Sequence, residues 1–230
     1  MGKTIAVLGH YGSGKTEFSV NYAMYLKRSG QKTALLDLDI ANPYFRSRER
    51  QKMLEEQGIS IYFNEYGFDI AEDLPAITAK IRAPLEDESC TTVADIGGND
   101  SGARIMNQFR KYFQPEGTER YLVVNANRFE TDTLEGALFH LQHIEEEIGL
   151  PITGIVNNTH MLTETTTDDI LRGYQLCREL SGTTGIPVVF STCVTSLREE
   201  LEELTKDDPE FRIFPITLQM RPSWLDVSVG

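Results

Sequence analysis

The segment Gly9-His10-Tyr11-Gly12-Ser13-Gly14-Lys15-Thr16 satisfies the spacing G-x-x-x-x-G-K-[ST], with an apolar run before it and an amphipathic stretch after it. Residues of these types at this spacing can hold a phosphate. Glycines let backbone N–H groups wrap an anion closely at the angles that the wrap requires. Lys15 then adds a point charge for the β and γ phosphates, and Thr16, at the start of the following helix, offers a hydroxyl to Mg²⁺ while the helix N-terminus adds its dipole. Gly9, Gly12, Ser13, Gly14, Lys15 and Thr16 are therefore the expected nucleotide-binding residues, with Lys15 also catalytic. The bland alternative is a glycine-rich turn joining a strand to a helix, and the flanking pattern makes it the weaker one.

A phosphate loop needs an acidic partner, and Thr91-Thr92-Val93-Ala94-Asp95-Ile96-Gly97-Gly98 offers an apolar strand that ends in a carboxylate followed by two glycines. An aspartate there can hold a water on Mg²⁺, and a glycine N–H just beyond can contact the γ-phosphate. Asp95 is the expected metal-binding and catalytic carboxylate, with Gly97 and Gly98 as phosphate contacts. A second acidic strand end, Leu35-Leu36-Asp37-Leu38-Asp39, runs into Ile40-Ala41-Asn42-Pro43-Tyr44-Phe45-Arg46.

These groups must be positioned by a frame, and short apolar runs alternate with longer helical patterns along the chain. Strands are expected at Thr4 to Leu8, Thr33 to Leu36, Thr91 to Ala94, Tyr121 to Val124, Ile152 to Val156, Pro187 to Phe190 and Ile213 to Ile216. The pattern predicts an α/β fold, a doubly wound, mostly parallel sheet of about seven strands with helices on both faces. Ile59 to Phe63 is a candidate further strand, and Leu74 to Arg82 a helix ending near Pro84. Leu134, Ala137, Leu138, Leu141, Ile144 and Ile148 recur at helical steps, as do Ile105, Met106, Phe109, Tyr112 and Phe113, and both sets read as core. No repeat or linker composition divides the chain, so residues 1–230 are expected to form one nucleotide-binding domain.

Composition bounds the partners. The 22 Lys and Arg against 35 Asp and Glu give a net charge of −13 over 230 residues, which repels phosphate backbones and anionic lipid. Neither nucleic acid nor membrane is an expected partner. Three scattered cysteines, Cys90, Cys177 and Cys193, and the absence of a signal-peptide pattern imply a reducing, cytoplasmic setting. No C-x-x-C pair supports an iron–sulfur bridge, and His140 and His143 read as surface histidines because no third ligand accompanies them. Met220 to Gly230 is too short and too poor in basic residues for a membrane helix and reads as a tail packed on the sheet.

The loop ending in Lys15-Thr16, the D-x-D of Asp37 and Asp39, and the Asp-x-Gly-Gly of Asp95 to Gly98, in this order, resemble the SIMIBI class of P-loop NTPases, in particular its MinD/ParA/CobQ-like branch. The resemblance implies that Asp39 sits on a switch loop and orients the water that attacks the γ-phosphate. It makes Asp37 either an indirect Mg²⁺ ligand or a structural carboxylate. It also implies Asn157 as the adenine contact, with residues near Ser191 and Thr192 completing the pocket. The lack of an N-K-x-D sequence favours ATP over GTP. One departure matters: such proteins usually carry a lysine directly after the first glycine of the loop, whereas this chain has His10, a shorter side chain that is not a permanently charged ammonium. Arg46 and Arg48 are candidates to supply transition-state charge in its place, against the alternative that they pair with surface carboxylates.

The expected function is Mg-dependent ATP binding and hydrolysis that drives a conformational switch through a nucleotide-dependent homodimer acting on an unidentified protein partner. A small-molecule kinase or ATP-dependent ligase of the CobQ-like branch, with a small-molecule acceptor, is the alternative. A protein that holds ATP without turnover is disfavoured by the intact set Lys15, Thr16, Asp39 and Asp95.

Overall fold

The computed structural model describes residues 3–39, 47–63, 75–98, 102, 106–114 and 116–220. In chain order the strands are β1 (Thr4–Leu8), β2 (Lys32–Leu38), β3 (Ser60–Phe63), β4 (Cys90–Ile96), β5 (Glu119–Val124), β6 (Gly154–Asn157), β7 (Val188–Val194) and β8 (Ile213–Ile216). The α-helices are α1 (Lys15–Arg28), α2 (Gln51–Glu56), α3 (Pro75–Glu86), α4 (Leu134–Ile148), α5 (Thr167–Thr184) and α6 (Arg198–Leu204).

Among the described residues the eight strands form one sheet, ordered β3-β2-β4-β1-β5-β6-β7-β8, and every pairing is parallel. The α/β, doubly wound architecture is the expected one, with eight strands instead of about seven because Ser60–Phe63 pairs with β2 at the edge. Parallel pairing requires crossovers, and these cover both faces with helices. On one face Phe18, Val20 and Ala23 of α1 and Leu54 of α2 pack on Ile5, Val7, Leu35 and Val93. On the other, Ile81 of α3, Phe109, Phe113, Leu141 and Ile144 of α4, and Leu176 and Leu180 of α5 cover Leu36, Ala94, Ile96 and Leu122. The central strands are apolar on both sides for this reason.

Strand order reverses about β1. The chain runs outward from β1 to β2 and β3 on one side, returns to β4, and crosses to β5 on the other. Ligands of open α/β sheets bind at the carboxyl ends of the strands at such a reversal, where neighbouring loops diverge. The loop that follows β1 lies there.

Several boundaries differ from the sequence expectation. Helix α3 runs through Pro84 to Glu86, because a proline in the last turn removes only one helical hydrogen bond; the carbonyl of Pro84 instead accepts from Thr92 Oγ1 at 2.9 Å. Strand β2 continues past Leu36 and brings Asp37 into register with Asp95 of β4. Strands β6 and β7 extend to Asn157 and Val194, so Asn157, Ser191 and Thr192 are sheet residues rather than loop residues. Leu74, Ile105, Ile40 to Arg46 and 221–230 lie outside the described residues.

Candidate functional site: a phosphate loop clamped from outside

The loop from Gly9 to Thr16 joins β1 to α1, and Gly14 immediately precedes α1 in the left-handed region at φ +84°. A side chain at Gly14 would be strained there, and its Cβ would lie 2.3 Å from Asn158 Nδ2. Gly9 and Gly12 also have positive φ, and Ser13 is buried with its N–H bonded to the carbonyl of His10 at 3.1 Å. Lys15 Nζ donates to that same carbonyl at 3.1 Å, which folds the ammonium back over the loop.

Two side chains from distant strand ends hold the loop from its outer side. Asn158, just past β6, donates from Nδ2 to the carbonyl of Ser13 at 2.7 Å, and Thr192 of β7 donates its hydroxyl to Asn158 Oδ1 at 2.6 Å. Arg128, past β5, donates from Nε to the carbonyl of Gly12 at 2.9 Å. A trans peptide directs its N–H opposite to its C=O, so fastening the Ser13 carbonyl outward turns the Gly14 N–H inward, toward the phosphate cradle.

The acidic residues converge on the loop as expected. Asp95 and Val93 share one face of β4, and that face carries α1; Ser19 Oγ lies 3.5 Å from Asp95 Oδ1, and Thr16 also donates its hydroxyl to Asp95. Burial, then the neighbouring charges of Asp37 and Asp39, push the Asp95 carboxyl up to about 8, against the opposing pull of Lys15. Burial likewise lowers Lys15, against the opposing pull of Asp95 and Asp39. Three buried aspartates, Asp37, Asp39 and Asp95, thus stand together at this end of the sheet, two of them acting on Lys15.

The residues fit Mg²⁺ and a nucleoside triphosphate on these observations. Asp95 Oδ2 is buried and has no hydrogen-bond partner among the described residues. Beyond β4, Gly98 lets the backbone pass close to the phosphate loop, since a Cβ there would lie 2.5 Å from the Gly9 carbonyl oxygen and 2.9 Å from Lys15 Nζ. Gly97 is buried beside it. Among the described residues no group of three or more His, Cys, Asp and Glu side chains forms a metal cage. Mg²⁺ habitually binds through one or two protein oxygens and the substrate's phosphates, so Thr16 and Asp95 are a sufficient set.

Other expected residues lie apart from the cradle. Asp37 accepts from the backbone N–H of Asp39 and of Arg48, both at 3.2 Å, which links the end of β2 to residue 48. The Arg48 guanidinium lies 5.9 Å from the Phe63 ring centre. His10 packs against His140 of α4 with ring centroids 4.3 Å apart. Asn157 is fully buried, with Nδ2 donating to the carbonyl of Ile170 at 2.9 Å and to Ser191 Oγ at 3.3 Å, so in this conformation it presents no edge to a base. Its neighbour Asn158 is the asparagine that reaches the phosphate loop, through the Ser13 carbonyl. The signal was present: Asn158 shares strand parity with Val156, which packs in the α1-side core, whereas Asn157 shares parity with Ile155 on the opposite face. Arg128 carries no such signal, since its contact spans 116 residues of chain.

Glu17 fastens a further segment to α1. Its carboxylate accepts from the N–H groups of Gln219 at 2.6 Å and Met220 at 3.1 Å, while Asn21 and Thr217 exchange two hydrogen bonds of 2.9 Å. The three cysteines are buried, unpaired thiols. No described helix is long and apolar enough to cross a membrane.

No curated protein matches the sequence. Among solved structures, the chain resembles the cell division protein FtsY of Thermotoga maritima (23% identity, TM-score 0.53, 82% of this chain and 60% of that one). It also resembles the signal recognition particle 54 kDa protein of Aeropyrum pernix, solved with GDP (22%, 0.54, 82% and 41%), and chloroplast FtsY of Physcomitrella patens (16%, 0.55, 83% and 58%). The chain spans less than two thirds of each, and at these identities the likeness speaks for the SIMIBI-type P-loop fold alone. The CobQ/CobB/MinD/ParA nucleotide-binding domain matches residues 5–170, which include the loop, Asp37, Asp39, Asp95 and the Asn158 clamp. With that span covering well over half of the sequence, the chain belongs to this CbiA family of P-loop nucleotide-binding proteins.

Proposed function

We propose that residues 1–230 act as one nucleotide-binding domain that binds ATP with Mg²⁺ and hydrolyses it as a conformational switch, two subunits closing face to face over the nucleotide and acting on a protein partner. The observation that carries this reading is the convergence of Thr16 with the buried Lys15, Asp39 and Asp95 at one loop, where Asp95 and Asp39 both act on the Lys15 ammonium. Lys15 would neutralise the β and γ phosphates, Gly97 and Gly98 would sense the γ-phosphate by close backbone approach, and Thr16 with Asp95 would hold Mg²⁺. When bound, Mg²⁺ supplies charge neutralisation to the triphosphate.

Asp39 follows directly on β2, is buried, and is anchored through its N–H to Asp37. Its carboxylate would orient the attacking water and accept hydrogen bonds from it. The departure of the γ-phosphate would then be felt at Asp39 and, through the Asp37 carboxylate, at the Arg48 backbone. ATP is preferred over GTP because Met161 stands where the N-x-x-[acid] spacing from Asn158 would need a carboxylate for guanine.

Calorimetric titration tests the reading. Mg-ATP should bind the wild type, bind more weakly without Mg²⁺, fail to bind Lys15→Ala, and outcompete Mg-GTP; preference for GTP, or unchanged binding by Lys15→Ala, would overturn it.

A further inference from the structure

At the rim of the sheet opposite the phosphate loop, the start of β7 and the carboxyl-terminal half of α5 border a cavity of 690 Å³. Two departures from regular structure make room for it. Strands β6 and β7 pair Ile155 with Val188 and Val156 with Phe190, so Val189 is the extra residue of a β-bulge. Val189 and Phe190 therefore both pack in the α1-side core, and the face of β7 that α5 covers loses the side chain that strict alternation would place there. Gly182, inside α5, adds a second opening. A Cβ there would meet nothing within 4 Å, so the helix carries a residue that weakens it where packing has no need of one.

The lining joins basic groups to an apolar wall. Arg178 and Arg212 bring two guanidinium groups to the cavity, in a chain whose net charge is −13. The Arg212 side chain has no hydrogen bond or ion pair among the described residues. Arg178 lies 3.7 Å from Asp208 Oδ2 and 3.9 Å from Glu210 Oε2, beyond hydrogen-bond distance, so these half-exposed contacts leave its donors available. Asp208 already accepts from the Tyr174 hydroxyl at 3.1 Å. Glu210 also borders the cavity, but its side chain is 76% exposed and turns to water at little cost. Pro187, Val188 and the Tyr174 ring supply the apolar wall. The helix carbonyls that end α5 beside Gly182 and Gly185 repel an anion, which leaves the charged end of a ligand to the arginines.

A ligand that fits needs one acidic group for the guanidiniums and an uncharged body for the wall. Guanidinium forks match carboxylate and phosphate oxygens, and small-molecule sites have volumes of about 300–1,000 Å³. The nucleotide site cannot share this anion: Lys15 and Asp95 stand at the carboxyl ends of the strands and the cavity at the amino end of β7, a strand of 7 residues. Such a strand spans about 20 Å. We propose that the cavity between α5 and β7 is a second ligand site, which binds a small organic anion, a carboxylate or phosphate monoester with an apolar body, through Arg178 and Arg212.

Calorimetric titration with phenyl phosphate and with benzoate tests the site, on the wild type and on Lys15→Ala, whose phosphate loop is disabled. At least one probe should bind both proteins alike; phenyl phosphate alone marks a phosphate monoester as the ligand, and benzoate alone a carboxylate. Arg212 is exposed, so Arg212→Ala keeps the fold and should weaken the bound probe at least tenfold, as for a lost charge-assisted hydrogen bond. Gly182→Leu carries a side chain into the open space and should abolish binding, while its thermal unfolding stays at or above that of the wild type because leucine favours a helix. The proposal is overturned if neither probe binds at millimolar concentration, if binding disappears in Lys15→Ala, or if Arg212→Ala and Gly182→Leu bind like the wild type. Inorganic phosphate bound as tightly as phenyl phosphate would overturn it too, because the apolar wall would then contribute nothing.

Discussion

Asn158 and Ser13 stand 145 residues apart in sequence, yet the Nδ2 of one donates to the carbonyl of the other at 2.7 Å, and this bond joins the end of β6 to the phosphate loop. Asn158→Ala leaves the Ser13 carbonyl and the Thr192 hydroxyl without their partner. It should cost about 1–3 kcal/mol of stability and weaken nucleotide binding at least tenfold. Asn157→Ala, equally buried but bonded to Ile170 and Ser191, should cost comparable stability while leaving the folded protein's nucleotide affinity near wild type. Denaturant unfolding and calorimetry on the pair check the distinction.

Gly98 is where backbone must approach backbone. Gly98→Ala would drive a methyl to 2.5 Å from the Gly9 carbonyl oxygen, a group that cannot swing away, and toward Lys15 Nζ at 2.9 Å. The variant should fold with a penalty of about 1–3 kcal/mol and lose phosphate release at least tenfold. Wild-type turnover by the variant would contradict the assignment of Gly98 to the γ-phosphate.

His160 gives stability a pH dependence. Burial, then Arg128, lowers its imidazole to about 4, whereas an exposed histidine titrates near 6.5. Between these values the unfolded chain binds more protons than the folded one, so this contribution is full above the window and lost as pH falls through it. From about pH 7 to about pH 4.5 the wild type should lose about 2 kcal/mol more than His160→Gln. Equal acid sensitivity of the two proteins would refute the buried, neutral imidazole.

The face around the loop mouth carries exposed aromatic groups. Tyr11 is 67% exposed, Phe129 87% and Phe139 62%. Tyr11 lies in the loop, Phe129 follows the Arg128 that grips Gly12, and Phe139 rests against His140 beside His10. Light scattering on Asp39→Ala should give a dimer with Mg-ATP and a monomer with Mg-ADP, and adding Phe129→Asp should restore the monomer with Mg-ATP. A dimer that ignores Phe129→Asp would sink this face as the contact surface.

The phosphate loop, the parallel sheet and the convergence of Asp39 and Asp95 on Lys15 were legible in the sequence, because glycine spacing and apolar alternation are local signals that physical chemistry converts directly into geometry. Asn158 was missed by one residue, since two adjacent asparagines differ only in which face of β6 they occupy, and that face depends on where the ladder ends. Asp37 left two roles open in sequence. Its carboxylate accepts from the N–H groups of Asp39 and Arg48, contacts that no local pattern in the sequence encodes. Arg128 and His160 had no pattern to betray them; their positions arise only when the strand ends of β5 and β6 are brought to one rim.

Phosphate release from Mg-ATP is the most direct measurement of the central claim, made on the wild type, on Lys15→Ala and on Asp39→Ala. The account predicts Mg-dependent release by the wild type, abolished by chelation, with each variant slower by about a hundredfold or more because each removes a charge or a water-orienting group acting in the transition state. No Mg-dependent release by the wild type, or equal rates in the wild type and Lys15→Ala, would contradict it.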